Sequence, residues 1–241
     1  MKDVERDFRY ACGRGDLKEA KELLEKGVDI NVADEYGLTP LMMAAQAGRL
    51  EMVEFLLENK AEVNHYDRKG WNALFLAAYW NCPDVVKLLI KKGENTGLID
   101  KQGFTLLSGI CTRGEERTEL LKLALKEVKK GKIDIDAKDY EGNTALMYAS
   151  SNRLINTVKL LVEAGANVNL ENNRGFTAID KARGKNEHEY LGGATKNKNN
   201  AVVEYLLTVG AEPGETLIMR SMGNNAVIDV AISVDDANIS V

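Results

Sequence analysis

The sequence is poor in the residues that mark a catalyst, a secreted scaffold or a membrane protein. Its 241 residues include only two histidines, three cysteines and three prolines. Cys12, Cys82 and Cys111 are odd in number and show no C-x-x-C spacing, which argues against a disulfide framework and a zinc site. They read as ordinary small buried residues. No Gly-rich phosphate loop, G-x-S-x-G or H-E-x-x-H occurs, and His65 and His188 lie about three structural units apart. The chain is therefore read as non-enzymatic, with no cofactor. Apolar runs such as Leu160-Leu161-Val162 and Leu206-Leu207 fall far short of the roughly 20 residues that cross a bilayer. Met1 to Tyr10 carries charge throughout and has no apolar h-region. The expectation is a cytoplasmic protein with no membrane contact. Net charge is -5, and acids and bases alternate instead of forming a basic surface, so nucleic acid is set aside as a partner.

What the chain does have is periodicity. Gly37-Leu38-Thr39-Pro40-Leu41 returns as Gly70-Trp71-Asn72-Ala73-Leu74, Gly103-Phe104-Thr105-Leu106-Leu107, Gly142-Asn143-Thr144-Ala145-Leu146 and Gly175-Phe176-Thr177-Ala178-Ile179. The spacings are 33, 33, 39 and 33 residues. Leu23-Leu24, Leu56-Leu57 and Leu89-Ile90 keep the same 33. A period of this size signals stacked supersecondary units.

One unit shows how each is built. Asp34 to Gly37 forms a turn in which glycine supplies a positive φ. Thr39 caps a first helix that opens on Pro40, where proline is tolerated, and that ends near Ala47 before Gly48. A second helix, Leu50 to Asn59, carries Met52, Val53, Phe55, Leu56 and Leu57, an apolar face too wide for a lone surface helix. Neighbouring units must cover it, so stacking makes the core. The recurring Asp34, Asp67, Asp100 and Asp139 are read as turn-opening residues that accept backbone amides, not as metal or acid–base groups.

These residues resemble the ankyrin repeat, which begins Gly-x-Thr-Pro-Leu-His-x-Ala and closes Leu-Leu-x-x-Gly-Ala-x-x-Asn. The close recurs at Leu56 to Asn64 and, more faithfully, at Leu161 to Asn169. The resemblance spans roughly 4 to 213 and implies an all-α solenoid of about six helix-turn-helix repeats with β-turn fingers. The repeats run about 4–33, 34–66, 67–99, 100–138, 139–171 and 172–213, followed by a C-terminal capping segment and tail, 214–241. The family's motif histidine is replaced by Met42, Phe75, Ser108, Met147 and Asp180. Inter-repeat stability is accordingly expected to lean on apolar packing.

Two repeats are interrupted. In the fourth, Glu115 to Lys132 is expected to lengthen the second helix by about six residues, with Leu120, Leu121, Leu123, Leu125 and Val128 as its stripe. In the sixth, Asn186 to Asn200 reads as a surface loop, and His188 with Glu187, Glu189 and nearby lysines as solvated groups within it. Leu217, Ile218, Met219, Val227, Ile228, Val230 and Ile232 make the tail apolar enough to fold back as a cap. Asn81-Cys82-Pro83-Asp84 reads as a variant interhelical loop, with Asn81 in the usual glycine place.

The resemblance implies a protein partner on the concave face formed by turn tips and first helices. In that register the residue after each turn glycine (Leu38, Trp71, Phe104, Asn143, Phe176) and the pair ending each first helix (Gln46-Ala47, Tyr79-Trp80, Thr112-Arg113, Ser151-Asn152) are expected to face outward. Repeat three then gathers Tyr66, Trp71, Tyr79 and Trp80, extended by Phe104 and edged by Arg68, Lys69, Lys101 and Arg113. Both tryptophans of the chain are among them. Aromatics and arginine dominate interface hot spots. A competing account has Trp71 and Phe104 packing on each other as filler. Two roles remain open: a scaffold or adaptor, monomeric when free, and a dedicated inhibitor or immunity-type protein that occludes one enzyme or toxin.

Overall fold

A computed structural model describes residues 2–93, 95–184 and 200–214. The segment 186–199 of the expected loop, with His188, and the tail beyond Gly214 lie outside the described residues. Six helix pairs follow one another: α1 (Lys2–Arg14) with α2 (Leu17–Glu25), α3 (Pro40–Gln46) with α4 (Leu50–Glu58), α5 (Ala73–Tyr79) with α6 (Pro83–Lys91), α7 (Leu106–Cys111) with α8 (Thr118–Lys129), α9 (Ala145–Ser151) with α10 (Ile155–Glu163), and α11 (Ala178–Ala182) with α12 (Ala201–Thr208). Among the described residues there is no strand, only an isolated bridge between Ile99 and Thr105. Each first helix packs on the next first helix, and from α4 onward each second helix packs on the next second helix. The result is a two-layer stack. Contacts along the first-helix row are the closer ones, because small residues such as Ala44, Ala45, Ala77 and Ala78 sit fully inside it.

Local chemistry starts each unit in the same way. Thr39 Oγ1, Asn72 Oδ1 and Thr144 Oγ1 each accept the amide three residues on, capping α3, α5 and α9. The turn before each cap is held by one side chain. Asp34, Asp67, Asp100 and Asp139 each accept two amides through Oδ1, at 2.8 to 2.9 Å, and Asn172 does the same at 3.0 Å in the sixth repeat. The turns are also stitched to one another by backbone bonds: Arg68 N to Tyr36 O, Lys101 N to Lys69 O, Tyr140 N to Gln102 O and Asn173 N to Glu141 O. This close approach is what fixes glycine at the turn. Gly103 has φ +84, and a Cβ there would stand 2.6 Å from the Asp139 Cα.

The closing Asn of the repeat has a physical job as well. Asn31, Asn64 and Asn169 each use Oδ1 to accept an amide of the following repeat, from Glu62, Asn95 and Glu212. Asp136 takes this role in the fourth repeat, toward Asn167. Asn81 has φ +61, filling the left-handed position that Gly48 (φ +67) occupies one repeat earlier.

Two expectations need correction. The extra residues of repeat four do not all lengthen the second helix: α8 has 12 residues against 9 in α4, α6 and α10, a gain of three. The remainder falls in the flanking loops. In the loop before α8, Arg117 and Glu116 have work that a longer helix would not give them. The histidine-replacing positions are also not uniformly apolar. Met42, Phe75 and Met147 are buried, but Ser108 and Asp180 close reciprocal capping boxes with Thr105 and Thr177. Asp180 further accepts the Gly214 amide at 2.9 Å. Here the replaced side chain keeps a hydrogen-bonding role.

Candidate functional site

Repeat three carries a ladder of rings spaced four residues apart. Trp71 precedes α5, Phe75 lies in its first turn and Tyr79 at its end. The Trp71 ring centroid is 4.8 Å from Phe75 and 5.1 Å from Tyr79, and Tyr79 meets Trp80 edge-on at 6.0 Å. Phe75 and Tyr79, four apart, share a face of α5, and Trp71, just before the helix, folds against both. Room for the ladder comes from the next repeat: a Cβ on Gly109 of α7 would approach Phe75 Cζ to 2.9 Å.

The ladder is graded in exposure. Phe75 is buried, Trp71 and Tyr79 are half-buried, and Trp80 is 45% exposed. Trp71 is tied down at both ends, its backbone amide donating to Asp67 and its indole Nε1 donating to the buried carboxylate of Asp100 at 2.7 Å. It is thus as much a bond between repeats three and four as a surface group. Two cations dress the cluster. Lys69 Nζ lies 4.7 Å from the Trp71 ring, and the Arg113 guanidinium lies 4.8 Å from Tyr79 and 5.0 Å from Trp80.

The remaining expected site residues are spread along the turn tips. Tyr66 is 41% exposed, and its hydroxyl is 3.5 Å from Asn95 Nδ2. Arg68 and Lys101 are exposed, with their backbone amides committed to the turn-to-turn ladder. Phe104 is half-buried and pairs with Tyr148 of repeat five at 5.4 Å, so the competing account, in which Trp71 packs on Phe104, gives way to two separate ring clusters. The expectation that every residue after a turn glycine faces outward fails at Asn143 (2% exposed) and Phe176 (4%). Asn143 is drawn inward because its Oδ1 accepts from Asn172 Nδ2 at 2.8 Å in the next turn.

Arg117 and Glu116 went unnoticed in the sequence. Arg117 is 5% exposed, and its Nη1 donates to the carbonyls of Tyr79 at 2.8 Å and Ala78 at 3.4 Å. A guanidinium at those carbonyls satisfies the C-terminal end of α5, where Tyr79 and Trp80 sit. Glu116 reaches the other way, its carboxylate accepting the amides of Asn156 (2.8 Å) and Thr157 (3.0 Å) and the Thr157 hydroxyl (2.7 Å) at the start of α10. The loop of repeat four therefore clamps repeats three and five. Periodicity hid this, because an insertion has no register to compare.

Trp80 also forms one wall of a groove of about 500 Å³ that continues across the first helices toward Tyr10, Leu38, Met43 and Ala47. Burial pushes the Cys12 and Cys111 thiols up to about 12 and raises Cys82 as well. None of the three is an activated nucleophile. Among the described residues, no three His, Cys, Asp or Glu side chains stand close enough together to hold a metal. No described helix is long and apolar enough to cross a membrane.

Helix pairs stacked in two rows, with amide-bonded turns and cross-repeat asparagines, define a repeat solenoid. Residues 8–100 and 92–172 match the family described as ankyrin repeats (3 copies), which together is more than half of the chain. The chain belongs to the ankyrin-repeat family. It is also 45% identical over 47 residues to a probable palmitoyltransferase, AKR2, of Saccharomyces uvarum. That match covers 20% of this chain and 6% of the length of the yeast protein. Ankyrin repeats generally mediate protein–protein interaction.

Proposed function

We propose that this chain is a non-enzymatic binding module that captures a partner protein on the concave, first-helix side of the stack, with the repeat-three aromatic cluster as anchor. The observation that carries this reading is Trp80, left 45% exposed beside the stacked Arg113 in a chain whose other tryptophan is tied into the fold. Exposed large aromatics next to arginine are the residues that carry interface energy. Tyr79 packs on the anchor and Trp71 on Tyr79, while Tyr66, Arg68, Lys69, Lys101 and Phe104 extend the surface along the turn tips. The repeat domain is taken as 1–213, working as a cytoplasmic monomer when free. Acyl transfer belongs to the yeast relative, of which the shared stretch is a small part.

Affinity capture from the native source with the wild-type chain and with Trp80→Ala, read by mass spectrometry, tests the assignment. A protein retained by the wild type and lost from Trp80→Ala is the expected result. Equal retention by both would move the binding surface elsewhere. A single partner held one-to-one would favour an inhibitor, and several partners of moderate affinity an adaptor.

A further inference from the structure

Resting on that reading of the site, we infer that the segment seated there is acidic, with a large apolar side chain entering the groove beside Trp80 and an adjacent carboxylate held by Arg113. Two independent features meet at Trp80. On one side is the groove of about 500 Å³, with Tyr10, Leu38, Met43 and Trp80 as its apolar walls and Arg14 and Gln46 as its polar ones, roomy enough to admit an aliphatic or aromatic side chain. On the other is Arg113, whose guanidinium is stacked on Tyr79 and Trp80 and has no carboxylate within ion-pair distance among the described residues. Stacking occupies the face of a guanidinium and leaves its N–H edge free, in the planar arrangement that a carboxylate accepts with two bonds.

Charge around the patch points the same way. Lys69 is likewise held against a ring without an acidic partner, and Arg68 and Lys101 project from the neighbouring turn tips. The nearest turn aspartates, Asp67 and Asp100, keep their charge but are oriented inward, Oδ1 of each accepting backbone amides and Asp100 also taking the Trp71 indole, so neither forms an ion pair with these cations. Glu116, the acid next to Arg117, is turned toward α10. A chain of net charge -5 thus presents, at its most aromatic point, two ring-stacked cations, Arg113 and Lys69, that form no ion pair among the described residues, Glu115 being paired with Arg117. An acidic segment is the complement that both attracts and orients on such an edge.

The test is selection of a random-peptide phage library on the full chain, followed by affinity measurement of selected synthetic peptides by fluorescence anisotropy. Wild type, Trp80→Ala, Arg113→Gln and, as a control on the exposed outer surface of α6, Lys87→Gln are compared. Enrichment of peptides in which Asp or Glu adjoins a large apolar residue is expected. Arg113→Gln should weaken them about tenfold, the factor carried by one charge-assisted pair. Lys87→Gln should leave them unchanged, and raised salt should weaken the wild type. Binders that need Trp80 but are not acidic and ignore Arg113→Gln would overturn the acidic assignment and keep the site. Binders indifferent to Trp80→Ala, or no binders at all, would overturn both. Arg113 is exposed, so unchanged melting of Arg113→Gln separates lost recognition from lost folding.

Discussion

Repeats three and five occupy the same register and use it in opposite ways. After the turn glycine, repeat three places Trp71 half out, while repeat five places Asn143 fully in. At the end of the first helix, repeat three has Tyr79-Trp80 under a stacked arginine, and repeat five has Ser151-Asn152, with Asn152 Nδ2 bonded to the Cys111 carbonyl at 2.8 Å. Repeat five spends its inner face on polar bonds, some within the repeat and some to its neighbours. Tyr148 donates to Asp139, and Asn143 links Glu141 to Asn172. Repeat three holds its neighbours through rings and one indole bond, leaving surplus aromatic surface. The difference teaches that the backbone stack tolerates either solution, so a surplus of exposed rings needs a cause outside the stack.

The largest effect should come from Trp71→Ala. It deletes a half-buried indole and strips Asp100 of a partner, and about 3 kcal/mol of stability should go in chemical denaturation. That outcome would break the simple view of Trp71 as a surface hot spot, and a loss below about 1 kcal/mol would restore it. Gly109→Leu comes next. Repeat five accepts Tyr148 at this register, but in repeat four the side chain must displace Phe75, at a cost of about 2 kcal/mol. Circular dichroism at 222 nm with urea titration measures it.

Tyr148→Phe should cost about 1 kcal/mol at neutral pH through loss of the Asp139 hydrogen bond. It also sharpens the comparison by pH. Burial first, and then the hydrogen bond to Asp139, raise the Tyr148 phenol above its ordinary value of 10.0. The folded state therefore holds the proton more tightly than the unfolded chain, so this contribution is intact below pH 10 and is lost as pH rises beyond it. Buried Cys12 and Cys111 act with the same sign from the ordinary thiol value of 9.0 upward. Denaturation between pH 9 and 11 should show the wild type losing more stability than Tyr148→Phe. The smallest stability effect belongs to Trp80→Ala, within about 0.5 kcal/mol, although binding should vanish.

How much of this was legible in advance follows from what repeats. Turn glycines, capping Thr and Asn residues and turn aspartates recur at 33, so their roles could be assigned from one unit and transferred. The ladder Trp71, Phe75, Tyr79 was legible in part: the spacing of four was visible, but not that Gly109 would make room for Phe75 or that Asp100 would claim the indole. Arg117 and Glu116 were illegible because they sit in an insertion that departs from the register. Asn143 and Phe176 were misassigned because a shared register fixes where a Cβ points, whereas partners in the next repeat decide whether the side chain stays there.

The sequence by itself determined the period, the two helices of each unit and the identity of the turn residues, because those depend on interactions within a few residues. Tertiary structure alone decided which of the equivalent side chains became bonds between repeats and which remained outside. That choice depends on a neighbour 29 to 38 residues away: Asp100 for Trp71, Asn172 for Asn143, and the carbonyl of Tyr79 for Arg117. Among the described residues Trp80 has no such bond from a distant repeat to its indole, and its exposure at the edge of the groove is the physical reason it is proposed as the anchor.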